Sequence, residues 1–303
     1  ESIAQTFSFR DYTFWLLQRL DPDLLKVSVV VPNYNYERYL ADRLRSVFDQ
    51  SYPIFETIVL DDASNDHSVA LARSTADESQ RHIRLVANDA NSGNVFRQWR
   101  RGVEMASGDL VWIAEADDLA QPDLVSTLAE RFVETDVQFA FSDSSAIDED
   151  GRRLSASYKF YYATVDDTAF TTSMVLDGAE FASRFLSERN IILNVSSVIW
   201  RRDCLEAVLD DHDPDVSEFA IAGDWLLYLR ACRRNGRIAY HSRALNVHRR
   251  GQGVTARTRG ETQLHEIQRI HGIYDLMFPE FAPPTDRRIT YLHELRQQFG
   301  LSA

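Results

Sequence analysis

The chain has 303 residues, 44% of them hydrophobic and 26% charged, which is the composition of a globular protein and excludes a disordered one. Its formal net charge of −13 argues against nucleic acid as a partner, because such binding needs a basic surface to neutralise phosphates. Cys204 and Cys232 are too few for a disulfide framework and favour a reducing compartment. No apolar run approaches the ~20 residues of a membrane span, and no signal-peptide pattern is present. We therefore expect a cytoplasmic location.

The first predicted element is an amphipathic leader helix or linker over residues 1–26, where apolar side chains recur at helical spacing. Because the sequence begins with Glu1 rather than Met, we expect a segment of a longer polypeptide, whose other domains would be partners. From Val27 onwards, short β-branched runs alternate with amphipathic stretches. Strands are predicted at 27–31, 57–60, 82–86 and 109–113, and helices at 39–50, 66–78, 95–106 and from about 122. This alternation predicts the α/β class, with a mostly parallel central sheet flanked by helices on both faces.

The pattern becomes less regular after residue 137. Strands are predicted at 138–141 and 196–200, and helices at 178–186, 223–234 and 261–278. The aromatic and threonine-rich stretch 158–170 predicts a long loop. We divide the chain into the leader (1–26), two halves of one α/β domain (27–141 and 142–258) and a C-terminal helical extension (259–303).

Polar residues follow three of the predicted strands. Pro-Asn-Tyr-Asn at 32–35 follows the first, Asp-Asp-Ala-Ser at 61–64 the second, and Glu-Ala-Asp-Asp at 115–118 the fourth. Ligands of open α/β sheets bind beyond the carboxyl ends of the strands. Acids gathered there repel one another and are most easily tolerated beside a cation, although an isolated Asp-Asp pair can simply close a turn.

In this order, and with Asn-Ser-Gly at 91–93 and Gly-Asp at 108–109, these motifs resemble the GT-A glycosyltransferases of family 2. The resemblance is strong over 27–141 and looser to about residue 255. It implies that 27–141 bind a nucleotide-diphospho-sugar and that 142–258 bind the acceptor and carry the catalytic base. The implied activity is inverting transfer to an acceptor hydroxyl in bacterial surface polysaccharide synthesis. The acceptor would be a glycan or lipid-linked glycan, with the enzyme peripheral at the inner face of the cytoplasmic membrane.

The resemblance also implies a set of donor-binding residues. The Tyr34 ring would stack on the base, and Asp62 would accept a hydrogen bond from a pyrimidine N–H, which favours a UDP- or dTDP-sugar. Glu115 would contact the ribose or the sugar. The full set is Pro32, Asn33, Tyr34, Asp62, Asn91, Glu115 and Asp117.

Residues 115–118 stand where the family carries its Asp-x-Asp metal motif, so the resemblance implies Asp117 and Asp118 as ligands of Mg²⁺ or Mn²⁺. His248 would be a third ligand. Relatives often have a further His after an Arg-Arg pair, but here Gly251 follows Arg249 and Arg250, so the histidine contact could be missing. The two arginines would pair with the diphosphate or form a solvated basic loop.

Asp224 opens a predicted helix and corresponds to the acid that deprotonates the acceptor in the family. An Asp at that place can also be a simple N-cap. Relatives often have a second acid immediately before it, where this chain has Gly223.

Two other functions stay open at this stage. A catalytically inactive nucleotide-sugar-binding module of a multidomain synthase would keep the donor motifs without turnover. A sugar-1-phosphate nucleotidyltransferase has a similar nucleotide domain, but it would carry a glycine-rich basic loop after the first strand, and residues 32–35 contain neither glycine nor a basic residue.

Overall fold

The computed structural model describes residues 24–133, 136–251 and 260–301. All but the last three residues of the predicted leader therefore lie outside the described part of the chain.

The first half of the sheet is parallel, as the sequence predicts. Its four strands are β1 (Val27–Asn33), β2 (Glu56–Asp61), β3 (Arg84–Ala87) and β4 (Leu110–Ile113), in the spatial order β3-β2-β1-β4. They are connected by α1 (Glu37–Phe48), α2 (Ser68–Glu78) and α3 (Val95–Met105). Because β1 is central and covered on both faces, all seven of its residues are buried, which explains its unbroken β-branched run.

Beyond β4 the sheet becomes mixed. Strand β9 (Val198–Arg201) runs antiparallel to both β4 and β6 (Val137–Ile147), and β10 (Arg237–Arg249) runs parallel to β6. The short β5 (Leu119–Ala120) pairs with β10, as does β8 (Met174–Asp177), while β7 (Arg153–Ser155) pairs with β6. The remaining α-helices are α4 (Leu124–Ala129), α5 (Lys159–Tyr162), α6 (Gly178–Phe181), α7 (Arg202–Leu209), α8 (Gly223–Arg233), α9 (Glu261–Met277) and α10 (Thr285–Gln298). Helix α6 continues as a π-helical turn, Ala182–Leu186, and 3₁₀ turns occupy Glu130–Val133, Ala169–Thr171, Val195–Ser197 and Val216–Glu218.

A hydrophobic core lies on each face of the sheet, which confirms the predicted α/β class. Val29 and Val31 pack with Leu40 and Leu44 of α1 on one face. Val30 belongs to the core of the other face, which is shared by α3, α7, α8 and the C-terminal helix α9.

One local prediction was wrong, and one strand was missed. Residues 158–170 are not a long loop: Tyr158, Tyr162 and Phe170 are buried, and the last two have ring centroids 4.7 Å apart. The aromatic residues that looked irregular along the sequence fill the space beside Tyr240 of β10. Strand β10 itself was missed because its burial does not alternate regularly, and its register shifts twice between His241 and Asn246.

Candidate active site

The ends of β1 and β2 are joined by side-chain hydrogen bonds. The Asn33 amide donates to Asp61 Oδ2 at 2.7 Å and to Ser64 Oγ at 3.1 Å, and the Ser64 N–H donates to Asp61 Oδ1 at 2.9 Å. Asp61 therefore fixes the turn after β2. Tyr34 remains 43% exposed at the end of β1.

Asp62 holds the loop that precedes α3. Its buried carboxylate accepts hydrogen bonds from Asn88 Nδ2 (2.6 Å), from the N–H and hydroxyl of Ser92 (2.9 and 2.8 Å) and from Gln98 Nε2 (2.9 Å). A carboxylate offers about four lone-pair positions. A pyrimidine N–H would therefore have to share or replace one of these protein donors.

Six of the seven predicted donor residues line one cavity of about 280 Å³: Pro32, Asn33, Tyr34, Asp62, Asn91 and Glu115. Gln98 and Asn94 of the α3 N-terminus also line it, and the sequence analysis did not select them. Two of these lining residues, Asn33 and Gln98, each have a buried amide oxygen (Oδ1 and Oε1) without a hydrogen-bond partner among the described residues.

A cluster of three acids follows β4 beside this cavity. Trp99 Nε1 donates to Glu115 Oε1 at 2.8 Å, and burial, reinforced by the charge of Asp117, raises the pKa of Glu115 to about 8. Burial and the charge of Asp118 likewise raise the pKa of Asp117 to about 7. A nearby cation would stabilise the ionised form of these buried, mutually repelling carboxyls, because its positive charge offsets both the cost of burial and the repulsion between them.

Asp118 is used differently from its neighbours. Its Oδ1 accepts the Arg249 N–H at 2.9 Å, and its Oδ2 accepts Asn194 Nδ2 and Ser196 Oγ, each at 2.7 Å. With 1% of its surface exposed, it fastens the chain after β4 to β10 and to the turn before β9.

Arg43 is a cation near the acids that the sequence analysis missed. It is fully buried on α1, and its guanidinium carbon lies 4.9 Å from the Trp112 ring centroid. Burial lowers the pKa of Arg43 to about 10, and the charges of Asp118, Asp117 and Glu115 oppose that effect. The sequence did contain a sign of this buried cation, because Arg43 stands between Leu40 and Leu44 on the apolar face of a predicted helix.

His248 lies on β10 with its Nδ1 2.8 Å from the Tyr158 hydroxyl. Burial lowers the pKa of the imidazole despite the charge of Asp118, so the ring is neutral at pH 7, as a metal ligand must be. Within 24–133, 136–251 and 260–301, no three His, Cys, Asp or Glu side chains are grouped to hold a metal ion by themselves. The side chains fit a metal shared with a ligand's phosphates, which is how Mg²⁺ is often bound, and Asp117 fits better than Asp118 because its carboxylate is less engaged by the protein.

Arg249 does not belong to a solvated basic loop. It is buried on β10, where its guanidinium donates to the carbonyl oxygens of Asp117 (2.8 Å) and Asp148 (3.0 Å) and lies 4.4 Å from the Tyr39 ring centroid. Its charge holds the backbone of the acid cluster in place. Arg250 is exposed.

Asp224 is the second residue of α8 and not its N-cap, which is Ala222. Its Oδ2 accepts Asn190 Nδ2 at 3.1 Å, and its Oδ1 accepts the Trp225 N–H at 2.7 Å. Burial raises the pKa of Asp224 to about 7. A carboxyl with that pKa is suited to accept a proton near neutral pH.

Gly223 explains why the second acid of the family is missing. A Cβ at this position would lie 2.5 Å from two ring carbons of Phe96 and 2.9 Å from a methyl of Val216. The α8 N-terminus therefore packs directly against α3. Asn94 strengthens this contact by donating to the carbonyl of Ser217 at 3.0 Å, so Asp224 is carried next to the loop that borders the cavity.

Comparison with known proteins identifies the family. Residues 28–191 match the model of glycosyl transferase family 2, which is more than half of the chain. The chain belongs to glycosyltransferase family 2. It is 32% identical over 150 residues to the putative teichuronic acid biosynthesis glycosyltransferase TuaG of Bacillus subtilis, and 27% identical over 141 residues to the glycosyltransferase GlyG of Streptococcus pneumoniae. These matches cover 48% and 46% of this family 2 chain, and 58% and 44% of the relatives, so the chain spans about half of their length.

Solved structures confirm the GT-A fold. The crystal structure of residues 1–349 of S. aureus TarS in complex with UDP-GlcNAc superimposes with a TM-score of 0.63 at 20% identity, covering 88% of this chain and 73% of that one. The same segment in complex with UDP gives a TM-score of 0.59 at 21% identity, covering 85% of this chain and 70% of that one. No helix in the described part of this family 2 chain is long and apolar enough to cross a membrane.

Proposed function

We propose that this chain is an inverting glycosyltransferase that moves a sugar from a UDP- or dTDP-sugar to an acceptor hydroxyl. The observation that carries the proposal is the cavity at the carboxyl ends of β1 and β2, which is lined by six of the predicted donor residues, Glu115 among them. It stands at the end of the parallel half of the sheet, where ligands of such folds bind.

The donor assignment is supported by the polarity of the cavity wall. Tyr34 offers an exposed ring for stacking on a base, and the polar side chains of Asn33, Asp62, Asn91 and Gln98 line the same cavity. The UDP and UDP-GlcNAc complexes of S. aureus TarS, which shares the fold, favour a uridine nucleotide here as well.

A divalent cation, Mg²⁺ or Mn²⁺, would neutralise the charge that develops on the departing diphosphate. Asp117 would hold it together with the donor's phosphates, and His248 and Asp118 are the further candidate ligands. Asp118 accepts three hydrogen bonds and so has only about one lone-pair position left for a metal, whereas Tyr158 already orients the His248 ring.

Asp224 would act as the general base. As the acceptor oxygen attacks the anomeric carbon, its proton passes to the Asp224 carboxylate, and the bond from that carbon to the diphosphate oxygen breaks on the opposite face, which inverts the anomeric configuration. Asn190 and the Trp225 N–H fix the orientation of this carboxylate.

The acceptor would be a glycan or a lipid-linked glycan of bacterial surface polysaccharide synthesis. Similarity to the teichuronic acid glycosyltransferase of B. subtilis supports that setting. A lipid-linked acceptor would place the enzyme at the inner face of the cytoplasmic membrane as a peripheral protein.

The test is a thermal-shift panel of UDP-, dTDP- and GDP-sugars with and without Mn²⁺, followed by turnover of a radiolabelled donor. A ligand at 100 times its Kd stabilises by about 2.7 kcal/mol, which such a panel detects readily. Asp117→Asn should abolish the added effect of Mn²⁺, whereas the exposed Asp150→Asn should leave it intact. Donor binding without any turnover would indicate the inactive binding module, and stabilisation by a nucleoside triphosphate with sugar 1-phosphate would indicate the nucleotidyltransferase.

A further inference from the structure

Glu266 of α9 makes an unusual contact with the backbone just before Asp224. It is 6% exposed, and its carboxylate accepts the N–H groups of three successive residues: Ala220 at 2.7 Å, and Ile221 and Ala222 each at 2.9 Å. Helix α8 begins at the next residue, and Asp224 follows one position later.

Three successive amides that converge on one point form a backbone site for an anion, and the positive end of a helix dipole adds to it. Here the anion is supplied by the protein itself, from a helix 44 residues further along the chain. The N-cap residue of α8, Ala222, makes no side-chain capping hydrogen bond, and the Glu266 carboxylate binds its N–H together with those of the two residues before it.

We infer that Glu266 is a positioning residue for Asp224: its carboxylate fixes the turn that presents Asp224 and lies close enough to act on it as a like charge. The inference rests on the proposed role of Asp224 as the base.

The surroundings of Asp224 support the electrostatic part of this role. The Asn190 amide donates a hydrogen bond to it, and two further groups interact with it electrostatically: the Tyr228 phenol, one turn further along α8, and Glu266 of α9. Burial is the largest cause of the raised pKa of Asp224, and the charge of Glu266 raises it further.

A second contact from the same helix supports the positional part. Burial lowers the pKa of His271 to about 4, so the ring is neutral, and its Nε2 lies 2.7 Å from the Glu188 carbonyl, two residues before Asn190. The same ring lies edge-on to Trp225, with centroids 5.7 Å apart. Helix α9 thus holds both segments whose side chains meet at Asp224.

The decisive measurement is an NMR titration of the Asp224 carboxyl, assigned by its disappearance in Asp224→Asn, in the wild-type chain and in Glu266→Gln. Glutamine keeps the size but has only one acceptor oxygen and no charge. In Glu266→Gln we expect the midpoint of the Asp224 titration to fall by about 0.5–1 pH unit, and the acidic limb of the kcat/KM profile to shift to lower pH by the same amount. We also expect kcat to decrease, while the affinity for UDP stays unchanged. Glu261→Gln is the matched control, because Glu261 is an exposed residue of the same helix.

An unmoved midpoint in a folded Glu266→Gln protein overturns the inference, even if activity falls equally at every pH. If that variant does not fold, Glu266→Asp replaces it: the charge is kept but the reach is shorter, so kcat should fall while the midpoint stays near that of the wild type. A wild-type kcat in Glu266→Asp also overturns the inference. A near-normal rate in Asp224→Asn would instead refute Asp224 as the base, and the titration would still decide whether Glu266 controls its charge.

Discussion

Replacement of Asp224 by asparagine should weaken catalysis and strengthen folding at the same time. The rate of transfer should fall by about 10²–10⁴, the usual contribution of a general base, because asparagine cannot take the acceptor proton. Donor affinity should stay unchanged, since Asp224 is not among the residues that line the donor cavity.

The gain in stability follows from the raised pKa. With a pKa near 3.8 in the unfolded chain and about 7 in the folded one, the carboxyl binds its proton more tightly when folded. Stability from this group is therefore full below about pH 4, is lost as the pH rises towards 7, and stays lost above it. At about 1.4 kcal/mol per pH unit, the ionised carboxyl destabilises the wild type at pH 8 by about 4 kcal/mol.

Asparagine removes that penalty and loses one hydrogen bond. Its Oδ1 can still accept the Trp225 N–H, but its amide cannot accept from Asn190, which costs about 1 kcal/mol. The net expectation at pH 8 is a free energy of unfolding about 3 kcal/mol above that of the wild type. At pH 4, where little of the penalty remains and the hydrogen bond is still lost, we expect a value up to about 1 kcal/mol below that of the wild type.

Urea unfolding of both proteins at pH 4, 5, 6 and 8, with transfer rates measured on the same preparations, checks this expectation. The reasoning would be refuted by an equal difference in unfolding free energy at every pH, because the carboxyl would then not be held protonated by burial. A near-normal rate would refute the base independently of that result.

Three further substitutions separate binding from structure. Tyr34→Ala should weaken UDP binding in calorimetry by the roughly 1–3 kcal/mol of a lost base stack, with Tyr34→Phe as the control that keeps it; equal affinities would place the base elsewhere. Asp118→Ala should lower the free energy of unfolding by about 2–4 kcal/mol, because three buried donors lose their acceptor; an unchanged urea midpoint would contradict that structural role. Gly223→Ala should destabilise by about 1–3 kcal/mol through its clash with Phe96, and Phe96→Leu should recover part of the loss; a double mutant no better than Gly223→Ala would mean that the clash lies elsewhere.

Local patterns were sufficient to predict the first half of the fold. The buried run of β1 and the amphipathic face of α1 are visible in the sequence because each residue there is either packed in the core and apolar or exposed and polar, with few exceptions. The motif residues after β1, β2 and β4 were also visible, and parallel strands necessarily bring their carboxyl ends to one edge. Strand β10 was missed because polar residues interrupt its pattern and its burial does not alternate from one residue to the next.

The sequence by itself thus determined the α/β class, the family and six of the residues that line the cavity, because the motifs follow strands whose carboxyl ends meet at one edge of the sheet. Tertiary structure alone decided which acids are free to act. Asp117 and Asp118 are adjacent in the sequence, and the local pattern does not distinguish them. In the structure, only the Asp118 carboxylate accepts hydrogen bonds from Asn194, Ser196 and Arg249, which are distant in the chain. The state of Asp224 likewise depends on burial and on Glu266, because desolvation and charge act through space and leave no mark on the local sequence.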